Sequence, residues 1–412
     1  MKENKLRFFN ASVFLQSQIF MLPVLLLFYQ HNGLTTGDFF LFQGLFSIFC
    51  LLLEVPVGYL SDLFSKRNIL VLSYSCFITR LVLWLFWAHY GYWIILIGEI
   101  LYAFQKATFT GASDGYVYEY LKYRNVPQTM LKRYGKMNFF MSFGTSISSL
   151  IGAWCYHCVS QRTLLHYQKD YGFLVLILIE LILNISAVSL LFSLPNIPSP
   201  KLHKKSFWLL CVRFFRIIKW TVKNSNLRYH ILYAGLLSGI TMVFVWSFQP
   251  MMKILAVPVS VYGLIYFMNH FCRAMSSLNL ASIRKAFSLP ALGMFVFCLF
   301  ITAFITSFII LKLQPQSLWL NLSYFAFISI IIGFQLAFNL SNTARIHQLT
   351  TSRIRATVSS INMAVSRLYT GFFLILLKFL IDDNVTEKSL MICFFIFIMG
   401  IIPLYKVCKA RT

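Results

Sequence analysis

The chain has 412 residues, 58% of them hydrophobic and only 12% charged, with a mean hydropathy of +0.72. A water-soluble domain carries about a quarter charged residues, so this composition excludes one. The formal net charge of +24 raises a nucleic-acid role, but the positions of the charges argue against it.

Apolar windows of about 20 residues recur along the chain, each long enough to cross a hydrocarbon core of ~30 Å as a helix. They predict twelve spans, at 8–29, 39–60, 69–89, 92–117, 137–160, 171–194, 229–252, 261–281, 290–312, 318–341, 357–381 and 389–406. Lipid offers the backbone no hydrogen-bond partner, so these runs should be helices. The first run has no small-residue cleavage site and leads directly into further spans, so a cleavable signal peptide is not expected. Of the 36 Lys and Arg, with Lys312 and Lys406 at the ends of their spans counted in the segments that follow, 26 fall in the two termini and the even-numbered connections, five in odd-numbered connections and five inside spans. Basic residues mark cytoplasmic segments. The charge therefore reads as topology, with both termini cytoplasmic in a multi-pass protein of the cell (inner) membrane, and no nucleic-acid partner is expected.

In chain order, "LLLEVPVGYLSDLFSKRNIL" (51–70) joins span 2 to span 3. Gly58 allows helices to approach closely, Asp62 can cap or accept from a helix N-terminus, and Lys66 and Arg67 hold the connection in the cytoplasm. Span 3 carries Arg80. Span 4 carries Glu99, Lys106 and Asp114, which lie within about 80° of one another on a helix and so form one stripe. A charge at mid-membrane costs at least ~2.5–3.5 kcal/mol unless paired or hydrated. Glu99 and Lys106 stand about two helical turns apart, and a structural ion pair between them competes with a role in a cavity. Glu119 points to the other side at the cytoplasmic end of span 4, where contact with Arg67 is expected.

Near the outer end of span 5, "CYHC" (155–158) places His157 inside a C-x-x-C. With no second pair and no βαβ context, two ordinary thiols and no metal site are expected. Span 6 carries Glu180. Residues 195–228 form the longest cytoplasmic segment, and within it 206–223 reads as an amphipathic helix in the inner headgroup layer, with Arg213, Arg216, Lys219 and Lys223 at helical spacing. Span 7 has Ser238, Thr241 and Gln249. Span 8 has Arg273 with Asn269 and His270 beside it. Span 10 has Gln335, Asn339 and Asn342 at i, i+4 and i+7, an amide face that would suit a substrate or glue two helices. Span 11 carries Arg367. The connection "NLASIRKAF" (279–287) keeps Arg284 and Lys285 but has neither Asp nor Gly.

The spacing G-x-x-x-D-x-x-x-K-R at Gly58, Asp62, Lys66 and Arg67 resembles the loop between helices 2 and 3 of the major facilitator superfamily. Glu54-Val55-Pro56-Val57-Gly58 resembles the E-V-P-T-G ending of span 2 in its drug-efflux-like members. "TGASDGYVYEYLK" (110–122) resembles their span 4 ending, with Gly111, Asp114, Tyr118, Glu119 and Lys122 on matching positions. Asp114 stands where that group usually has Glu, and Gly115 where it has Ala. The resemblance is close over roughly residues 10–150 and beyond that rests on span count and layout.

The resemblance implies an all-α membrane fold of twelve transmembrane helices in two six-helix halves, 1–194 and 229–412, joined by the basic linker 195–228. It implies alternating access, with helices 1, 4, 7 and 10 around a central cavity and a gating latch of Gly58, Asp62, Lys66, Arg67 and Glu119. No phosphate loop, H-E-x-x-H or G-x-S-x-G is present, so neither an ATP-driven pump nor an enzyme is expected, no cofactor is needed, and an ion or solute gradient should supply the energy. The expected function is secondary active transport of a small amphipathic solute, by proton-coupled export, with protons and membrane lipid as the other partners of a monomer. Glu99, Asp114 and Glu180 are the proton-coupling candidates. Lys106, Arg80, Gln249, His270, Arg273, Gln335, Asn339 and Arg367 are the substrate-cavity candidates. "FTGASDGYVYEYLKY" (109–123) also resembles the span 4 ending of reduced folate and thiamine carriers, which leaves open the uptake of an anionic vitamin, siderophore or other nutrient. A non-transporting receptor or a lipid scramblase is the alternative of another class.

Overall fold

The computed structural model describes residues 4–86, 91–123, 130–167, 170–197, 207–351 and 354–381. Every regular element among them is helical. In order these are α1 (Asn4–Gln16), a 3-10 turn (Leu22–Val24), α2 (Leu25–His31), α3 (Thr36–Leu63), α4 (Lys66–Leu85), α5 (Tyr92–Tyr123) and α6 (Met130–Tyr167). They continue as α7 (Gly172–Phe192), α8 (Phe207–Lys223), α9 (Ser225–Ile254), α10 (Val259–Leu278), α11 (Leu280–Ala286), α12 (Leu289–Leu313), α13 (Leu318–Gln348) and α14 (Arg355–Leu380). Eleven of the twelve expected spans fall on these helices, and the twelfth, 389–406, lies outside the described residues. Among the described helices, seven are long and apolar enough to cross a membrane by length and composition alone.

The burial pattern is that of a protein dissolved in lipid. In α7, Leu178, Ile182, Ile185 and Phe192 are exposed while Glu180 and Asn184 are fully buried. Apolar side chains gain nothing by leaving hydrocarbon, whereas polar groups must find partners inside the protein.

Helix ends are set locally. Ser65, Asn224, Ser288 and Ser317 cap α4, α9, α12 and α13, each accepting from the backbone N–H three residues on, which satisfies a donor the helix leaves unpaired. Pro290 sits in the first turn of α12, where its missing N–H costs nothing.

The expected continuous first span, 8–29, is interrupted. The helix stops at Gln16 and resumes only after the 3-10 turn. Ser17 and the Gln18 amide fold back to donate to the Phe14 carbonyl at 2.8 and 3.1 Å, and Pro23, at the start of the turn, has no N–H to donate. The freed backbone groups find side chains instead. Ser148 accepts from the Ile19 N–H at 2.9 Å, Glu180 accepts from the Met21 N–H at 2.7 Å, and Thr145 donates to the Ser17 carbonyl at 2.9 Å. Non-helical backbone survives at membrane depth only where protein satisfies it in this way. The segment lies directly on α6 at Gly144 and Gly152. A β-carbon at Gly152 would collide with the Phe20 carbonyl, standing 2.9 Å from both its carbon and the Cα.

The chain forms two compact units, each drawing on both halves of the sequence. One comprises residues 1–35, 55–203 and 256–278, the other 36–54, 204–255 and 279–412. In the first, α4 packs on α5 and α10 on α6, while a core that includes Phe9, Tyr74, Phe109 and Tyr116 fills its interior. In the second, α9 packs on α14 and α12 on α13. The first part of α3 meets α14 at Gly44 and Gly371, where a β-carbon at 44 would lie 2.6 Å from Ile375. Lys378 donates to Asp38 at 2.6 Å along the same contact. Within α8, Ile217 is buried against Leu227, Ile231 and Ile346, while Phe215, Trp220 and Val222 are exposed.

Candidate functional site

The first unit holds most of the buried charge. Arg80 from α4 and Glu99 from α5 form an ion pair at 2.9 Å, both almost inaccessible, and the Tyr29 hydroxyl donates to the same carboxylate oxygen at 3.0 Å. The guanidinium lies between two aromatic faces, 4.0 Å from the Trp84 ring and 4.1 Å from the Tyr102 ring. Each contact favours a desolvated cation. Glu99 therefore pairs with Arg80 rather than with Lys106, which instead rests 5.1 Å from the Tyr102 ring centre. Helical spacing within span 4 could not reveal this, because the partner comes from span 3.

Glu180 is buried on α7 with one carboxylate oxygen on the Met21 N–H, and the Phe20 N–H bears on it too. One turn further along, Asn184 donates to the Glu180 backbone carbonyl at 2.9 Å. Thr145, Ser148 and Gly152 of α6 complete the support of the interrupted span, and sequence reasoning passed over all three. Their only signal was small and hydroxylated residues recurring at helical spacing through "GTSISSLIGA".

On α10, Asn269, His270 and Arg273 face the interior of the same unit. Asn269 is 1% exposed, and neither its amide nitrogen nor its oxygen has a partner among the described residues. His270 Nε2 and Arg273 Nε are likewise buried without one. His270 lies close enough to Arg273 and Lys106 to feel both charges.

At the connection between α3 and α4, the Lys66 stem lies over the bare backbone of Gly115, with its Cε 3.0 Å from where a β-carbon would stand. The Arg67 guanidinium sits 5.5 Å from the Phe192 ring centre. Glu119 is half-buried at the end of α5. The side chains of Gly58, Asp62 and Asp114 lie outside the described residues.

In the second unit the span 10 amides join helices. The Ser238 hydroxyl accepts from Gln335 at 3.3 Å and from Asn339 at 2.9 Å, and Asn342 bonds both the ring and the backbone carbonyl of His230. Gln249 is fully buried on α9. Arg367 sits 5.7 Å from the Phe46 ring centre and interacts with Glu54. Cys155 and Cys158 are free, half-buried thiols.

This arrangement has close structural counterparts. A point mutant of the nucleoside transporter NupG superposes with a TM-score of 0.73 at 12% identity, covering 99% of this chain and 100% of that one. A bacterial homologue of the human lysosomal transporter Spinster, in an inward-facing and unoccupied conformation, matches with a TM-score of 0.73 at 13% identity, covering 99% and 98%. At such identities the likeness shows the fold alone. No curated protein sequence matches the chain. The family model of the Major Facilitator Superfamily matches residues 8–374, so this all-helical multi-pass chain belongs to that superfamily of transporters.

Proposed function

We propose that the chain is a secondary transporter that moves a small amphipathic solute out of the cell in exchange for protons, with Glu180 as the coupling group. The observation that carries the coupling is the bond from the Met21 N–H to the Glu180 carboxylate. It ties a protonatable side chain to the broken backbone of a span that, by the superfamily's layout, lines the cavity. A proton on Glu180 would remove the charge that makes this bond strong and loosen the interruption. Proton binding and the shape of span 1 would then be linked, as coupled transport requires. Among the described residues, Arg80, which Glu99 already engages, is the charged group near enough to act on Glu180.

Glu99 is less suited to the task, because Arg80 and Tyr29 already engage its carboxylate. Asp114 remains the second candidate from the sequence. The latch is proposed at Gly58, Asp62, Lys66, Arg67 and Glu119, supported by the packing of Lys66 on Gly115 and of Arg67 on Phe192. The export direction and the cytoplasmic placement of the termini rest on the sequence motifs and the basic-residue count.

The test is flux into and out of proteoliposomes supplied with a mixed metabolite extract, with a pH gradient imposed in each direction. Solute movement against its own gradient, opposite to proton flow, is expected. Flux that ignores the pH gradient would remove the coupling, and no solute flux at all would leave a receptor or scramblase.

A further inference from the structure

Among the described residues of the first unit, three basic groups stand without a carboxylate partner. Among its described carboxylates, Glu99 is taken by Arg80 and Tyr29, Glu180 by the Met21 N–H, and Asp170 by the Tyr156 hydroxyl and the Gly172 N–H, while Glu119 is engaged at the far end of α5. None pairs with Lys106, His270 or Arg273 among the described residues. Among the described residues, two permanent cations and an imidazole thus stand together without a counter-charge, and in a membrane an uncompensated charge is costly. Beside them Asn269, 1% exposed, has donors and acceptor unmet, a deficit worth about 1–3 kcal/mol in a core. The helix α10 packs on α6 and on the 3-10 turn of span 1, while α5 packs on α4. Lys106, His270 and Arg273 each keep part of their surface open, as groups lining a cavity do and groups locked into a core do not.

We propose that Lys106, His270 and Arg273, with the Asn269 amide, form a subsite for the oxyanion of the transported solute, a carboxylate or a phosphate. A guanidinium offers a planar pair of donors that matches either group. The ammonium adds a point charge from the facing helix, and Asn269 and His270 supply neutral donors that fix orientation. The Tyr102 ring, 5.1 Å from the Lys106 ammonium, suits an apolar or aromatic body attached to the anion. This assignment rests on the transport reading for its biological use, but binding itself can be measured without transport.

Titration calorimetry on detergent-purified protein tests it with three probes: 4-phenylbutyrate, its uncharged amide 4-phenylbutyramide, and phenyl phosphate. Wild type should bind at least one of the two anions tenfold or more tightly than the amide, and whichever anion wins identifies the oxyanion. Arg273→Gln and Lys106→Gln should each weaken that anion about tenfold or more and leave the amide unchanged, while Arg273→Lys should recover part of the loss. The inference is overturned if wild type binds neither anion, if acid and amide bind alike, or if both Gln variants bind the anion as wild type does. Anion binding without flux in proteoliposomes would defeat the transport reading and leave the subsite standing. Solute flux unaffected by both Gln variants would do the reverse.

Discussion

Replacing Glu99 with Gln separates a structural ion pair from a proton-coupling site. The change keeps the shape and leaves an oxygen to accept from Tyr29 and Arg80, but it removes the one charge that answers a guanidinium with 4% exposure. Breaking a buried pair by deleting one partner costs about 3–5 kcal/mol, because the remaining charge is stranded. The rings of Trp84 and Tyr102, at 4.0 and 4.1 Å, still support that charge, each contact contributing about 0.5–2 kcal/mol. The lower end of the range, near 3 kcal/mol, is therefore expected. Arg80→Met combined with Glu99→Gln removes both charges and should restore at least half of the loss, since neutral replacements for buried pairs are often close to neutral. Denaturant unfolding in mixed micelles, run as a double-mutant cycle, reads both values. Any Glu99→Gln protein that folds should keep the wild-type pH dependence of transport. A loss below about 1 kcal/mol, the size of an exposed pair, would refute the burial argument. A pH dependence abolished in Glu99→Gln with stability intact would make Glu99 the coupling residue after all.

Three further outcomes are expected. Gly152→Val should displace the Phe20 carbonyl and destabilise the interrupted span, whereas Gly111→Ala, whose β-carbon meets nothing within 4 Å, should stabilise its helix by up to ~1 kcal/mol; equal unfolding midpoints for the two variants would deny the close approach at 152. Ser238→Ala removes the acceptor shared by Gln335 and Asn339 and should cost about 0.6–1.7 kcal/mol per bond lost, measured by the same unfolding assay, with no change in solute affinity; a pure affinity loss would return the amide face to the substrate. Asp62→Asn should cut flux strongly at normal expression and membrane insertion, and unchanged flux would remove the latch.

The spans were legible because hydropathy and lipid impose helices wherever about 20 apolar residues run together. The interruption at 17–21 was not, since "SQIFMLPV" keeps the apolar character of a continuous span. Ser17, Gln18 and Pro23 start the break locally, but the groups that hold it open, Thr145, Ser148 and Glu180, come from elsewhere in the chain. Buried charges were legible as types, and their pairing was not: Arg80 and Glu99 lie on different helices, and no spacing rule links residues in different spans. The span 10 amides show the opposite limit. Their i, i+4, i+7 face was visible, yet only the Ser238 and His230 contacts show that it binds a neighbouring helix. Asn269, His270 and Arg273 were legible as a group because they are adjacent in sequence on one helix, and their lack of a counter-charge among the described residues emerged only from the partners that Glu99, Glu180 and Asp170 take.

The central claim is most directly tested by comparing wild type and Glu180→Gln in proteoliposomes under an imposed pH gradient, following the solute that the extract screen identifies. Wild type should concentrate that solute against the proton flow. Glu180→Gln should exchange it at equal pH on both sides but fail to concentrate it, because the binding site survives while its link to span 1 no longer responds to protons. Full, pH-driven accumulation by the Glu180→Gln protein would contradict the account.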